Sequence, residues 1–301
     1  MSTAAKTAAD RHDAGPFDEE FLRKLELLSV VSKRLLAGQF KAERRAKKVG
    51  SGIEFADYRG YVPGDDFRAV DWRAYMRLDR LILRLFEEET DLPVYIFVDA
   101  SKSMGKRKLD YAKRVAAALA YVGLSNLDKV HMVVYADGVI EELPAQRTKS
   151  QIFNIFRFLN GVSSSHETHA GRAFHRFFGA SRRRGITVVI SDFFDPHGVG
   201  HSFDIVRYQR QDLLAVHVVT PEDAVPPLNG EITLVDSETE WNQDITITPA
   251  LLSAYCDVFD EYCEEIERYC TLYGFGYMRT ITNFPFEDLI MQVMRSGRFL
   301  S

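Results

Sequence analysis

The sequence predicts a doubly wound α/β fold with a mainly parallel sheet, and three observations carry that prediction. Apolar runs, interrupted only by Thr187 and His217, recur at Val94–Val98, Ile186–Ile190 and Leu213–Val219. Each has strand length, and a strand that is apolar on both faces must be covered on both faces. Segments with helical spacing of apolar residues lie between them, and such strand–helix alternation builds parallel sheets. These sheets bind ligands beyond the carboxyl ends of their strands, where the strand order reverses. Residues at those ends are therefore the first candidates for function.

The chain has 301 residues, 46% hydrophobic and 27% charged, which suits a globular protein with a core large enough to need no disulfides. Its three cysteines, Cys256, Cys263 and Cys270, recur at a heptad interval. On a helix that interval separates neighbouring sulfurs by roughly 10 Å, too far for a disulfide or a shared metal. They read as small apolar residues in a reducing compartment. The Met1 end lacks the apolar core of a signal peptide, and no apolar run is long enough to span a bilayer. The expectation is a cytoplasmic protein without membrane insertion. A net charge of -5 says little about partners.

In chain order, residues 1–18 are Ala-rich and polar. Glu19–Leu36 places Phe21, Leu22, Leu25, Leu28, Val31 and Leu35 at helical spacing. The basic run KAERRAKKVGSG follows and is expected to be a solvated loop or linker. From Ile53 to Glu89, aromatic and aliphatic residues alternate with arginines around a Pro63–Gly64–Asp65 turn, predicting a small β-rich subdomain. Arg59, Arg68, Arg73, Arg77, Arg80 and Arg84 each have an acidic neighbour in sequence, so internal ion pairing is expected. Tyr58, Tyr61 and Trp72 are expected to pack rather than to present stacking platforms.

Beyond Pro93 the alternation begins. Val94–Val98 is a strand, Leu109–Leu127 a helix, and Val130–Tyr135 a second strand that turns at Asp137–Gly138 into Val139–Leu143. Helices are predicted at Gln151–Leu159, Ala170–Ala180 and Ile205–Gln211, around the strands Ile186–Ile190 and Leu213–Val219. Residues 226–248 interrupt the pattern with EITLVD and DITITP, which read as paired strands around an SETEWNQ turn, and a β-hairpin is predicted. A long helix with an apolar seam from Leu252 to Tyr273 should pack on the sheet. Gly276–Ile281 and Phe286–Met294 close the fold as an edge strand and a helix. The predicted organisation is an N-terminal helical and basic segment (1–49), a β-rich block (50–92) and the α/β domain (93–301).

Chemistry concentrates at two strand ends. PVYIFVDASKSM puts Asp99 at the end of the first core strand, with Ser101 and Ser103 alternating behind it. One carboxylate and two hydroxyls are hard oxygen ligands, suited to Mg²⁺ or Mn²⁺. A single carboxylate does not neutralise a divalent ion, and VVISDFFDP supplies a second, Asp192, just past Ile186–Ile190. The loop SSSHETHAG offers Thr168, with Ser164 and Ser165 as competing hydroxyls. The bland reading of an Asp or Ser at these positions is a helix cap.

Other chemistries lack their residues. There is no G-x-S-x-G elbow, no Walker A loop, no H-E-x-x-H and no helix after the glycines near Gly274. His166 and His169 of HETH read as surface residues. Scattered basic blocks in a net acidic chain do not make a nucleic-acid surface. The enzymatic alternative is metal-dependent phosphotransfer or phosphohydrolysis on Asp99, but Ser101 stands where such an enzyme has its second aspartate.

The set DASKS, a Thr before a helix, and a strand ending in Asp resembles the metal-ion-dependent adhesion site (MIDAS) of von Willebrand factor type A domains. The resemblance implies one divalent cation held by Asp99, Ser101, Ser103, Thr168 and Asp192, with a coordination position left for a partner's carboxylate. Thr168 departs from the usual Gly-Gly-Thr setting, being flanked by Glu167 and His169. The upstream stretch GIEFADYRGYVPGDDFRAVDWRAYMRLDRLILRLFEEE resembles the signature block of the DUF58 family, which pairs such a block with a von Willebrand factor A-like, Rossmann-like domain. Within the block, Arg59, Asp65, Asp66, Arg68, Asp71 and Trp72 are the candidates for partner contact. The resemblance further implies a non-enzymatic adaptor or assembly factor for a client protein, working with a MoxR-type AAA+ ATPase.

Overall fold

The computed structural model describes residues 16–43, 45–49, 54–89, 93–180, 182–235 and 242–295. These divide into two compact units, one drawn from residues 34–91 and the other from residues 1–33 and 92–300.

Helix α1 (Glu19–Glu43) opens the chain and continues past the predicted end at Leu36. Phe21, Leu25 and Leu28, spaced for one helix face, are buried. In the smaller unit, β1 (Arg45–Val49), β2 (Glu54–Gly60) and β3 (Ile82–Glu89) form an antiparallel sheet in the order β1-β3-β2. The basic run expected as a loop thus supplies a strand. Its register sets Arg45 opposite Glu89 and Lys47 opposite Glu87, and opposite charges across a ladder favour pairing. Helix α2 (Trp72–Leu78) interrupts what read as continuous strand texture. Asp71 caps it by accepting from the amides of Arg73 and Ala74, both at 3.0 Å.

The larger unit is built on a six-stranded sheet. Its strands are β4 (Pro93–Asp99), β5 (Lys129–Tyr135), β6 (Val139–Gln146), β7 (Ile186–Ser191), β8 (Asp212–Val219) and β11 (Gly276–Ile281). Their order is β11-β8-β7-β4-β5-β6, and all neighbours pair in parallel except β5 and β6. That exception is the predicted hairpin at Asp137–Gly138. After β4 the chain moves to β5 on one side and later returns to β7 on the other, so the order reverses beside β4. The expected mainly parallel α/β sheet is present, with its switch point at the Asp99 strand end.

Helices α3 (Gly105–Ser125), α4 (Ile152–Asn160), α5 (Ala170–Phe178), α6 (Val199–Tyr208), α7 (Pro221–Ala224), α8 (Pro249–Leu272) and α9 (Phe286–Arg295) flank this sheet. Period-two alternation divides β4 between the two faces. Tyr95 and Phe97 enter an aromatic core with Tyr135, Phe174, Phe177 and Phe178, closed by residues of α6 and α8. Helix α3 crosses the sheet with α4 and α9 beside it. Its buried surface is rich in alanine (Ala112, Ala116, Ala117 and Ala120), which permits close approach.

Helix α6 begins at Val199, earlier than the apolar spacing from Ile205 suggested. The seam on α8 is narrower than predicted: Phe259, Cys263, Ile266 and Cys270 are buried, whereas Tyr255 and Tyr273 are exposed. The cysteines are free. Strands β9 (Gly230–Val235) and β10 (Asn242–Ile247) pair antiparallel as the predicted hairpin, whose turn lies outside the described residues. Among the described residues, no helix is long and apolar enough to cross a membrane.

Candidate metal centre

The neighbouring strands β4 and β7 deliver two carboxylates to one place. Asp99 ends β4, Asp192 follows the last residue of β7, and both are fully buried. The backbone amide of Ser101 donates to Asp99 Oδ1 at 2.9 Å, folding the chain into an Asx-type turn. A 3₁₀ turn over Lys102–Met104 follows, and Gly105 at φ 49° starts α3 from a left-handed conformation that other residues rarely adopt.

A continuous line of oxygens joins the two carboxylates. Ser101 Oγ and Ser103 Oγ are hydrogen-bonded at 2.9 Å, and Ser103 Oγ donates to Asp192 Oδ1 at 3.2 Å. The structure therefore brings Asp99, Ser101, Ser103 and Asp192 together. The third loop arrives through its backbone. The Ser165 amide donates to Ala100 O at 2.7 Å, Lys102 N to His166 O at 3.0 Å, and His169 N to Ala136 O at 2.9 Å. Thr168 lies buried in this loop, while Ser164 and Ser165 are half-buried.

Two further residues belong to the centre and were not singled out in the sequence. Ser191 Oγ donates to Asp99 Oδ2 at 2.5 Å and accepts from the Phe193 amide at 2.8 Å. Lys108, buried on α3, places its Nζ 2.6 Å from Asp192 Oδ2 and 3.4 Å from an oxygen of Asp223. Its ammonium also lies 5.1 Å from the Phe194 ring centroid, within cation–π range. Ser191 precedes Asp192 directly, and its position at the end of an apolar strand was the available signal. Lys108 had none, because its partner is 84 positions away.

The electrostatics follow from this placement. Burial pushes the Asp99 carboxyl up to about 7, and the like charge of Asp192 adds to the shift. Hydrogen bonds from Ser191 and Ser101 oppose it. Two carboxylates beside one ammonium leave the site short of positive charge when both are ionised. The donor set (carboxylate, hydroxyl and no sulfur or imidazole) fits Mg²⁺ or Mn²⁺. Phe193, next to Asp192, is held at φ 57°. A bulky residue in that region costs of order 1–3 kcal/mol and persists only where surrounding contacts fix it. Here the Tyr262 hydroxyl donates to the Phe193 carbonyl, and the Phe193 ring meets Phe203 and His217.

The candidate partner-contact residues lie in the smaller unit, and most serve local structure there. Arg59 pairs with Asp65 Oδ1 at 2.6 Å, and Asp65 Oδ2 accepts from the Val62 amide across the Pro63–Gly64 turn. Asp66 caps the turn at Phe67–Ala69 by accepting from Arg68 N. Asp71 caps α2 and also accepts from the Tyr58 hydroxyl at 3.3 Å. Arg68 is exposed. Trp72 and Tyr58 are 53% and 50% exposed, against the expectation that both are packed. His169 also departs from the surface reading: it is half-buried, and its Nδ1 accepts from Arg172 N at 3.4 Å as the cap of α5.

Fold and site together define a mixed α/β protein with a mainly parallel six-stranded sheet and a buried carboxylate–hydroxyl cluster at its switch point. The chain belongs to the family described as protein of unknown function DUF58, whose model matches residues 57–259. An uncharacterized protein of Mycobacterium tuberculosis is 24% identical over 267 residues, covering 86% of this chain and 83% of that protein. A shorter match, to an uncharacterized protein of Mycobacterium avium, is 36% identical over 87 residues, 29% of this chain and 51% of that protein. Among solved structures, the conserved hypothetical protein BatB from Bacteroides thetaiotaomicron aligns with 20% identity and a TM-score of 0.45, covering 70% of this chain and all of that one (100%). An aerotolerance-related membrane protein from Bacteroides fragilis aligns with the same TM-score of 0.45 over 68% of this chain and 99% of that one. Likeness at this level says nothing of function.

Proposed function

We propose that the chain is a non-enzymatic, divalent-cation-dependent protein-interaction module. The observation that carries this reading is the pair of fully buried carboxylates, Asp99 and Asp192, joined through the hydroxyls of Ser101 and Ser103 at adjacent strand ends. With Thr168, or Ser164 or Ser165 in its place, these residues would hold Mg²⁺ or Mn²⁺. A bound cation supplies a position at which a partner's Asp or Glu carboxylate completes the coordination.

The chain's own residues prepare that position. Ser191 and the Ser101 amide orient Asp99. Lys108 holds Asp192 at 2.6 Å and also meets Asp223 at 3.4 Å, so the carboxylates stay in excess of positive charge, a deficit that a divalent ion would offset. The loop around Thr168 is tied to the Asp99 loop through backbone bonds, so that a change at the site is transmitted to the start of α5. The proposed partners are a client protein and a MoxR-type AAA+ ATPase, for which this chain would act as adaptor or assembly factor.

Calorimetry with Mg²⁺ tests the site. Wild type is expected to bind, and Asp99→Ala to lose binding while keeping its fold by circular dichroism; unchanged binding in Asp99→Ala overturns the assignment. Pull-downs with and without EDTA test the function, with a metal-dependent AAA+ partner as the expected outcome. Turnover of ATP, phosphoesters or peptides that disappears in Asp99→Ala would instead establish the phosphotransfer or phosphohydrolase alternative.

A further inference from the structure

A second group of metal-ligand side chains lies on the same two loops and is not used by the site above. His169, Asp195 and His197 each offer a ligand atom, and these atoms lie within 4.8 Å of one another. We propose that they form a transition-metal site of the Zn²⁺ class, separate from the all-oxygen centre, that cross-links the loop carrying Thr168 to the loop carrying Asp192.

The chemistry of the donors makes the distinction. Two imidazoles and one carboxylate suit Zn²⁺ and its neighbours in the first transition row, whereas Mg²⁺ prefers oxygen ligands alone. Three protein ligands leave the fourth tetrahedral position to water. A third imidazole is close by: a carbon of the His201 ring and one of the His169 ring each lie 3.6 Å from the point a Cβ would occupy on Gly171.

The carboxylate is already fixed. The side chain of Asp195 is 3% exposed. Its Oδ2 accepts from Ala170 N at 2.9 Å, and its Oδ1 accepts from His197 N at 2.8 Å and lies 3.1 Å from His197 Nδ1. His169 is held by its capping bond through Nδ1, which leaves Nε2 as its ligand atom. The two imidazole rings stack with centroids 3.9 Å apart and planes 9° from parallel. Lone pairs lie in the ring planes, so two parallel stacked rings do not aim at one ion. Binding therefore requires one ring to turn. His197, with a side chain 52% exposed, is free to do so, and the turn exchanges a stacking contact for a coordination bond.

The test uses the full chain, freed of any polyhistidine tag, in saturating Mg²⁺ so that the oxygen site does not compete. Zn²⁺ retained after equilibrium dialysis is counted by mass spectrometry, and Co²⁺ serves as a visible-absorption probe of tetrahedral ligation. Wild type should hold one Zn²⁺ per chain. His197→Gln should weaken binding at least as much as the loss of an outer-shell partner does, about 10–100-fold, and His169→Ala/His197→Ala should abolish it. Asp99→Ala should bind Zn²⁺ as wild type does, so failure of the magnesium reading leaves this result standing. Equal Zn²⁺ affinity in wild type and His197→Gln, or no Zn²⁺ held by wild type, overturns the proposal. If the double variant does not fold by circular dichroism, the exposed His197→Gln substitution alone decides.

Discussion

Asp192 and His197 stand five positions apart in one loop, yet they belong to different physical regimes. Asp192 is fully buried and meets Lys108, a cation brought from another element. His197 is exposed and meets Asp195, its own near neighbour in sequence. Buried charge must be compensated within the protein, because desolvation is otherwise too costly. Exposed imidazole has water as a fallback, so it can change partner or take a metal at little cost. Asp192 is thus tied to the fold, whereas the exposed His197 imidazole is dispensable to it.

Removing the buried carboxylate should have the greatest effect. Asp192→Ala leaves the Lys108 ammonium buried with the longer contact to Asp223 and the Phe194 ring, and should cost about 3–5 kcal/mol of unfolding free energy. Urea denaturation measures it. Lys108→Met in the same chain should return a large part of the loss, since no unpaired buried charge then remains. A cost for Asp192→Ala below about 0.5 kcal/mol, the ordinary range of a surface change, would show that the pair is solvated and the contrast mistaken.

His217 sharpens the contrast with a buried imidazole. Its Nδ1 lies 2.8 Å from the Tyr277 hydroxyl, and burial, with Arg279 next in effect, pushes its pKa down to about 3. His131 is likewise pushed down to about 4, chiefly by burial. Both folded values lie below the ordinary 6.5 of the unfolded chain. The unfolded state therefore takes up protons first, and stability present above about pH 6.5 is lost as pH falls toward 4 and then 3. For His217 the limiting slope is about 1.4 kcal/mol per pH unit. The stability difference between wild type and His217→Gln, followed by urea titration from pH 7 to about 4, should shrink as pH falls; a constant difference would refute the buried neutral imidazole.

The smallest effect is expected at the exposed end. In metal-free buffer, His197→Ala should change stability by no more than about 0.5 kcal/mol, read as a shift in the thermal midpoint. A loss several times larger would make the stacked imidazoles a structural element.

Much of the fold was legible because its signals are local. Apolar runs such as Val94–Val98 mark strands covered on both faces, and Asp137–Gly138 marks the hairpin from β5 to β6. The β1 strand carries no local strand signal, because Arg45–Val49 is mostly basic and takes strand form by pairing with the distant β3. Helix α2 is hard to see in the sequence because its aromatic and arginine texture resembles an alternating strand, and its start signal, Asp71, serves as a cap only in the folded chain.

The core strands and the residues that stand at their ends, Asp99, Ser101, Ser103 and Asp192 among them, are legible in the chain alone. Periodicity and chain punctuation suffice for that, because both are read within a window of a few residues. Tertiary structure alone decided who meets whom. The order β7-β4-β5 puts Ser191 on Asp99 across 92 positions, and the path of α3 puts Lys108 on Asp192 across 84. Loop packing likewise stacked His169 on His197. Such pairings depend on sheet order, register and helix placement, which are settled by burial over the whole domain and leave no mark in any short stretch of the chain.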